Sequence, residues 1–374
     1  MSDREAKAIG YRYGRMLSDF RVGETYLHPW EVTLDEGLCA FFAASFQDAT
    51  PVYSSRAYAR ALGFRDRPVH PLICLNLALS FSVHDVSEQA IAHLAYVDVR
   101  FPNAAYIGDS VQARSTVIDV KPSSSGDKGV VHVSTTLSDE HGRVLCAFER
   151  KALIRAGQLD SRPIEPTAPR DLAPAAPLSD LTLVPPEMRE PIHVPSKLHP
   201  SHGLPSAFED FHVGQVYAHG VGKTIGESEH MQLTSLFRNS HPLHFDELYC
   251  KEHSFTKTRV VYGGLVFAWI AALASRDVAG NALWEAGYEA GAHPNAVAAG
   301  DTLYALSKVL AVEERGAGGL VSFSLIGVKN LTAEAAHAKY GEPLFTPELS
   351  KREARIPEKV FEIKRKLLIR KRSV

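Results

Sequence analysis

Two short stretches of this 374-residue chain carry side chains that could do chemistry. One reads Arg238-Asn239-Ser240-His241-Pro242-Leu243-His244-Phe245-Asp246; the other, Arg259-Val260-Val261-Tyr262-Gly263-Gly264, runs straight into a long apolar segment. His244 has the side chain suited to taking a proton from a reacting group and returning it. Asn239 cannot do this, because an amide does not exchange protons as a carboxylic acid does, so its use would be to orient water or His244. Gly263 and Gly264 let backbone N–H groups come close to a ligand. At the start of a helix such groups are unpaired and sit at its positive end, where developing negative charge is stabilised. Each residue also has a plainer reading. A histidine in a polar turn is most often simply solvated, His241 reads as a turn residue, and Asp246 has the position of an ordinary helix-capping aspartate.

The elements that must position these residues occur twice. Asp19-Phe20-Arg21-Val22-Gly23-Glu24-Thr25-Tyr26-Leu27-His28 reads against Asp210-Phe211-His212-Val213-Gly214-Gln215-Val216-Tyr217-Ala218-His219, an offset of 191. Pro102-Asn103-Ala104 and Gly108-Asp109 read against Pro294-Asn295-Ala296 and Gly300-Asp301, an offset of 192. Register kept over this span with one net insertion marks an internal duplication. The copies occupy residues 15–157 and 206–374. Residues 158–205 between them hold half of the chain's 22 prolines and read as an extended, irregular linker.

Each copy has the same grammar. A short strand (22–26; 213–217) leads to helical residues (34–46; 227–237), a proline-containing turn and a long helix (71–81; 264–273). That helix is apolar nearly all round, as one enclosed on most sides must be. Alternating strands follow at 111–117, 130–137 and 144–154, answered by 303–312, 320–328 and 360–369. An antiparallel sheet folded round one buried helix is an α+β hot-dog, here written twice.

The copies differ where the chemistry would be. The first has Gln47-Asp48-Ala49-Thr50-Pro51-Val52-Tyr53 and Val69-His70-Pro71, so tyrosine stands at the His244 position and Pro71 has no N–H to offer. The second copy's turn resembles the signature of MaoC-like, R-specific enoyl-CoA hydratases, D-x-x-P-x-H. This chain reads D-x-x-P-x-Y in copy one and N-x-x-P-x-H in copy two. The resemblance implies addition of water to an α,β-unsaturated thioester, with donors at the start of the central helix holding the thioester oxygen. It makes His244, Asn239, Gly263 and Gly264 the catalytic candidates and leaves copy one, with Asp48 in a structural or capping role, as a substrate-holding half.

Leu243-His244-Phe245-Asp246, Tyr262-Gly263-Gly264 and Ala290-Gly291-Ala292-His293-Pro294-Asn295 with Ala299-Gly300-Asp301-Thr302 are similar to the mesaconyl-CoA hydratase branch. That branch implies reversible hydration of mesaconyl-CoA (2-methylfumaryl-CoA) to β-methylmalyl-CoA; itaconyl-CoA hydratases fit almost as well. Such a substrate has a second carboxylate, whose burial asks for arginine. Arg238 and Arg259 are the placed candidates, with Arg65, Arg67 and Arg100 reaching across, and Tyr262, Asp246 and Tyr53 as further substrate contacts. Lys251 and Lys257 are available for CoA phosphates. A CoA thioesterase or a non-catalytic acyl-CoA binder on the same fold stays open.

The composition narrows the setting. A net charge of −2 gives no pull toward nucleic acid or an anionic membrane, and no run approaches the ~20 apolar residues of a span. Met1 to Arg15 is polar, unlike a secretory signal or anchor. Four scattered cysteines without ligand spacing suit a reduced, cytoplasmic protein without metal. No cofactor is expected beyond the CoA of the substrate. The fused halves should supply internally the sheet-to-sheet pair that single hot-dogs make as dimers; whether two such chains pair further is open.

Overall fold

The computed structural model describes residues 14–157, 177–189, 192, 194–195, 204, 206–348 and 355–372. Copy one runs β1 (Thr25–Thr33), α1 (Glu36–Phe46), α2 (Pro51–Ser54), α3 (Arg56–Ala61), α4 (Pro71–Phe81), β2 (Ala90–Arg100), β3 (Ser110–Pro122), β4 (Lys128–Asp139) and β5 (Val144–Arg155). Copy two runs β6 (Val216–Ala218), β7 (Lys223–Thr224), α5 (Glu227–Leu236), α6 (Glu247–His253), α7 (Gly263–Val278), β8 (Ala282–Ala292), β9 (Thr302–Arg315), β10 (Gly318–Lys329), α8 (Ala333–Tyr340) and β11 (Lys359–Arg370).

The strands form one antiparallel sheet, β1-β3-β4-β5-β2-β8-β11-β10-β9-β6, with β7 also on β9. The second five repeat the order of the first five in mirror sequence, so the halves meet edge to edge at β2 and β8. There Tyr96 pairs with Gly291, Asp98 with Glu289 and Val99 with Tyr288. Gly287 is required at this seam: its φ is +135°, and a Cβ on it would lie 2.3 Å from the Val99 carbonyl oxygen. Each half of the sheet curls round one helix. All eleven residues of α4 are buried, and α7 is buried from Gly264 through Ser275, so a single apolar core runs through both halves. This is the double hot-dog that the sequence pattern predicts.

The duplication extends to buried side chains. His28 holds Asp85 through Nδ1 (2.8 Å) and the Ser115 hydroxyl through Nε2 (2.8 Å); His219 holds Asp277 (2.5 Å) and Ser307 (2.9 Å) in the same way. These trios have the composition of a nucleophilic triad. Both serines and both histidines are sealed in the protein, however, so they tie the central helix region to the sheet and offer no nucleophile to a ligand.

Some boundaries differ from the sequence pattern. The expected strand at 213–217 is only Val216–Ala218, and the helix expected over 264–273 extends to Val278. Strands β2 and β8 have no counterpart in the sequence expectation. Most of the proline-rich stretch lies outside the described residues. Its described turns at Leu178–Asp180 and Pro186–Met188 bury Leu178 and Met188, with the Leu181 carbonyl accepting a hydrogen bond from Arg100 at 2.7 Å.

Candidate active site

The helix starts separate the copies most sharply. In copy one, Pro71 opens α4 and the His70 Nδ1 accepts a hydrogen bond from the Leu72 N–H at 3.1 Å, so the helix end is capped. In copy two, Tyr262 precedes α7 without capping it, and Gly263 and Gly264 leave the end open. That open end forms part of the wall of a cavity of about 570 Å³ between the halves. Copy two contributes Asn239, His241, His244, Tyr262, Gly263, Gly264 and His293; copy one contributes His93, Tyr96 and Arg150 from β2 and β5. Phe255, 64% exposed, also borders the cavity and marks its mouth.

His244 ends a short turn, Pro242–His244, whose start is capped by the His241 Nδ1 accepting from the Leu243 N–H at 3.1 Å. Its own Nδ1–H donates to the Val260 carbonyl at 2.7 Å, which fixes the ring and leaves Nε2 as the lone-pair nitrogen. Burial, reinforced by His241, pushes its pKa down to about 3, so the imidazole is neutral. Asn239 accepts a hydrogen bond from the His241 N–H at 3.0 Å and hydrogen-bonds the Tyr262 hydroxyl, which also accepts from Ser80 at 3.4 Å.

The equivalent positions in copy one are Asp48 and His70, 3.6 Å apart and buried, and that pocket is filled. Tyr53, the counterpart of His244, accepts a hydrogen bond from the Glu285 N–H at 2.9 Å and packs on Trp284 and His70. Beside His70, Asp48 is held down at about 2 despite its burial. Asp48 and His70 thus close one copy, while their replacements, Asn239 and Tyr262, border the open cavity of the other.

Of the residues expected at the site, His244, Asn239, Tyr262, Gly263 and Gly264 come together, and four do not. Arg238 is exposed with φ 66° and is not part of the cavity wall. Arg259 is held by Glu227 and by Glu247, the latter at 3.3 Å. Asp246 caps α6, accepting from the Leu248 and Tyr249 N–H groups. Tyr53 lies in the closed pocket. Among the reserve arginines, Arg65 pairs with Asp109 (3.2 Å), Arg67 with Glu36 (2.6 Å) and Arg100 with Asp98 (2.9 Å). Lys251 and Lys257 are exposed and line no part of the cavity.

The sequence reading missed the wall supplied by copy one. Arg150 is only 4% exposed, yet among the described residues it has no acidic partner. His93 has neither ring nitrogen satisfied. The Nε2 of His293 is likewise unpartnered, and a Cβ on Gly263 would meet it at 3.0 Å. One signal for Arg150 exists in the repeat itself: Glu149-Arg150-Lys151-Ala152-Leu153-Ile154-Arg155 reads against Lys364-Arg365-Lys366-Leu367-Leu368-Ile369-Arg370. Among the described residues no Asp or Glu lines the cavity, whereas Arg150 and Arg355 do, and Lys329 lines it while paired with Asp301 at 2.9 Å. The site is therefore shaped for an anion and equipped with neutral proton carriers. Among the described residues no group of His, Cys, Asp and Glu could hold a metal ion, and no helix is long and apolar enough to cross a membrane.

Comparison with known proteins gives the family and the fold. Residues 5–333 match the family model described as mesaconyl-CoA hydratase. The β-methylmalyl-CoA dehydratase of Chloroflexus aurantiacus is 32% identical over 300 residues, 80% of this chain and 82% of its own. The mesaconyl-CoA hydratase of Cereibacter sphaeroides is 34% identical over 297 residues, 79% of this chain and 83% of its own. Among solved structures, a MaoC domain protein from C. aurantiacus superposes with a TM-score of 0.81 at 27% identity, covering 98% of this chain and all of that one. A Mycobacterium tuberculosis protein with a double hot-dog fold reaches 0.69 at 19% identity over 95% and 98% of the two chains, a likeness of fold alone. Match length, identity and fold place this chain in the mesaconyl-CoA hydratase family.

Proposed function

We propose that this protein is a hydro-lyase that reversibly adds water to mesaconyl-CoA, giving β-methylmalyl-CoA, at the single open site of copy two. The observation that carries this is the pairing of two features in one cavity: a fixed, neutral His244 with Nε2 free, and the uncapped Gly263-Gly264 start of α7. His244 Nε2 takes a proton from water as the water oxygen bonds to the β-carbon. The π electrons move to the thioester as an enolate, whose oxygen is held by the Gly263 and Gly264 N–H groups. The imidazolium then gives its proton to the α-carbon, so one H and one OH have been added. Negative charge on the bound substrate raises the His244 pKa from its ligand-free value at the step where it must accept the proton. Asn239 and Tyr262 position the water.

Arg355 at the cavity wall suits the CoA portion, and four buried thiols suit a cytoplasmic setting. Pairing of two chains is compatible with this reading, since the site needs only the two halves of one chain. The test is direct: purified protein is mixed with mesaconyl-CoA and the enoyl-thioester absorbance followed. Loss of absorbance without thiol release is expected. Thiol release identifies a thioesterase, and no change across several enoyl-CoAs identifies a binding protein.

A further inference from the structure

We infer that Arg150 is the subsite for the free carboxylate of the acyl group, and that copy two displays internally the contact this arginine makes with substrate. This rests on the hydratase reading and names the residue that sets its substrate class. In copy one, Arg150 on β5 stands opposite Tyr96 on β2; in copy two, Arg365 on β11 stands opposite Tyr288 on β8. Two residues after each arginine, the facing residue is His93 in one copy and Glu285 in the other. Arg150 and Arg365 are therefore the same position of the repeat, and His93 replaces Glu285.

In copy two the position is complete. Arg365 Nε lies 3.0 Å from one Glu285 oxygen and Nη2 lies 2.7 Å from the other, both residues 1% exposed. Its Nη1 donates to the Ala271 carbonyl at 2.9 Å. This is a two-point guanidinium–carboxylate pair, the geometry that best offsets the desolvation of both charges. In copy one the arginine is equally buried, but the carboxylate is missing. Arg150 Nη2 donates only to hydroxyls, Ser82 at 2.8 Å and Ser87 at 3.1 Å, and Nε has no partner. An imidazole whose nitrogens are also unpartnered stands where the acid would be. Burial without an acid weakens the hold on the proton, pulling the Arg150 pKa down to about 10.

A buried arginine that borders a cavity lined by no Asp or Glu among the described residues, and whose Nε has no partner, lacks one component, a carboxylate from outside the chain. In 2-methylfumaryl-CoA the free carboxylate sits on the β-carbon, the carbon that water attacks. Arg150 shares the cavity with His244 and is close enough to interact electrostatically with Tyr262. Pairing there orients the double bond between His244 and the glycine N–H groups, and it offsets repulsion between the carboxylate and the forming enolate.

The experiment measures calorimetric binding of two unreactive ligands, methylsuccinyl-CoA with the carboxylate and butyryl-CoA without it. Wild type, Arg150→Met and His93→Glu are compared. Arg150→Met should lose on the order of 100-fold in affinity for methylsuccinyl-CoA, as expected when one member of a buried charge pair is removed, and keep its butyryl-CoA affinity. His93→Glu supplies the acid as copy two does, so it should lose methylsuccinyl-CoA to the same extent while its thermal midpoint stays at or above wild type. It also serves if Arg150→Met does not fold. Equal weakening for both ligands, or retained methylsuccinyl-CoA binding in either variant, overturns the assignment. Mesaconyl-CoA hydration by the same samples separates the two claims. Wild type that binds through Arg150 but does not hydrate refutes the reaction and keeps the subsite; hydration indifferent to Arg150 does the reverse.

Discussion

At the scale of residues, the two copies differ by a few substitutions whose physical effects point the same way. Asp48 and His70 lie buried side by side, 3.6 Å apart, whereas Asn239 and Tyr262 border open space. Pro71 and the His70 cap remove what Gly263 and Gly264 leave available. The glycines should not be interchangeable with alanine. A Cβ on Gly264 would lie 2.2 Å from Asn76 Oδ1 and 2.6 Å from the Tyr262 ring, so Gly264→Ala must displace these buried side chains and should lower stability by about 1–3 kcal/mol in urea unfolding. Gly263→Ala meets only the edge of His293 and should fold normally, with turnover reduced because the oxyanion position narrows. His244, Asn239, Tyr262 and the glycines were legible in the sequence because each group lies within a few residues along the chain and its spacing is a local property. Arg150 and His93 were not, because they reach the site from the other half and only the register of β2 on β5 brings them together.

At the scale of elements, the helices and outer strands were legible from periodicity, while β2 and β8 were not. The β8 segment Ala282 to Tyr288 is buried on both faces, and β2 mixes half-buried and exposed positions, so neither shows the alternation of a one-sided strand. These two strands form the seam, and β2 supplies the cavity wall; the missed elements are the ones that join the halves. Tyr53 illustrates an element-level role that motif position alone misrepresents. Its hydroxyl satisfies the Glu285 N–H on β8. Tyr53→Phe leaves that buried donor unpaired and should cost about 1–3 kcal/mol of stability, with kcat on mesaconyl-CoA unchanged. A large loss of kcat with intact stability would place chemistry in copy one.

At the scale of the whole molecule, a cavity of buried neutral histidines makes folding sensitive to acid. Burial holds His244 at about 3 and His241 and His293 at about 4, and His93 well below its ordinary value. The unfolded chain takes up these protons first, near pH 6.5, so stability is full above that pH and falls as pH drops toward the folded values. Each such histidine contributes a slope of about 1.4 kcal/mol per pH unit in that window. His241→Gln should flatten the stability profile between pH 6 and 4 by about one such increment, measured by denaturant unfolding across pH. The central claim concerns one proton carrier in one half of a duplicated molecule. Turnover of mesaconyl-CoA by His244→Ala, compared with wild type under saturating substrate, tests it most directly. The account predicts a fall in kcat of at least ~100-fold in a folded variant, the lower end of what a general acid–base supplies. Turnover near the wild-type rate would contradict it.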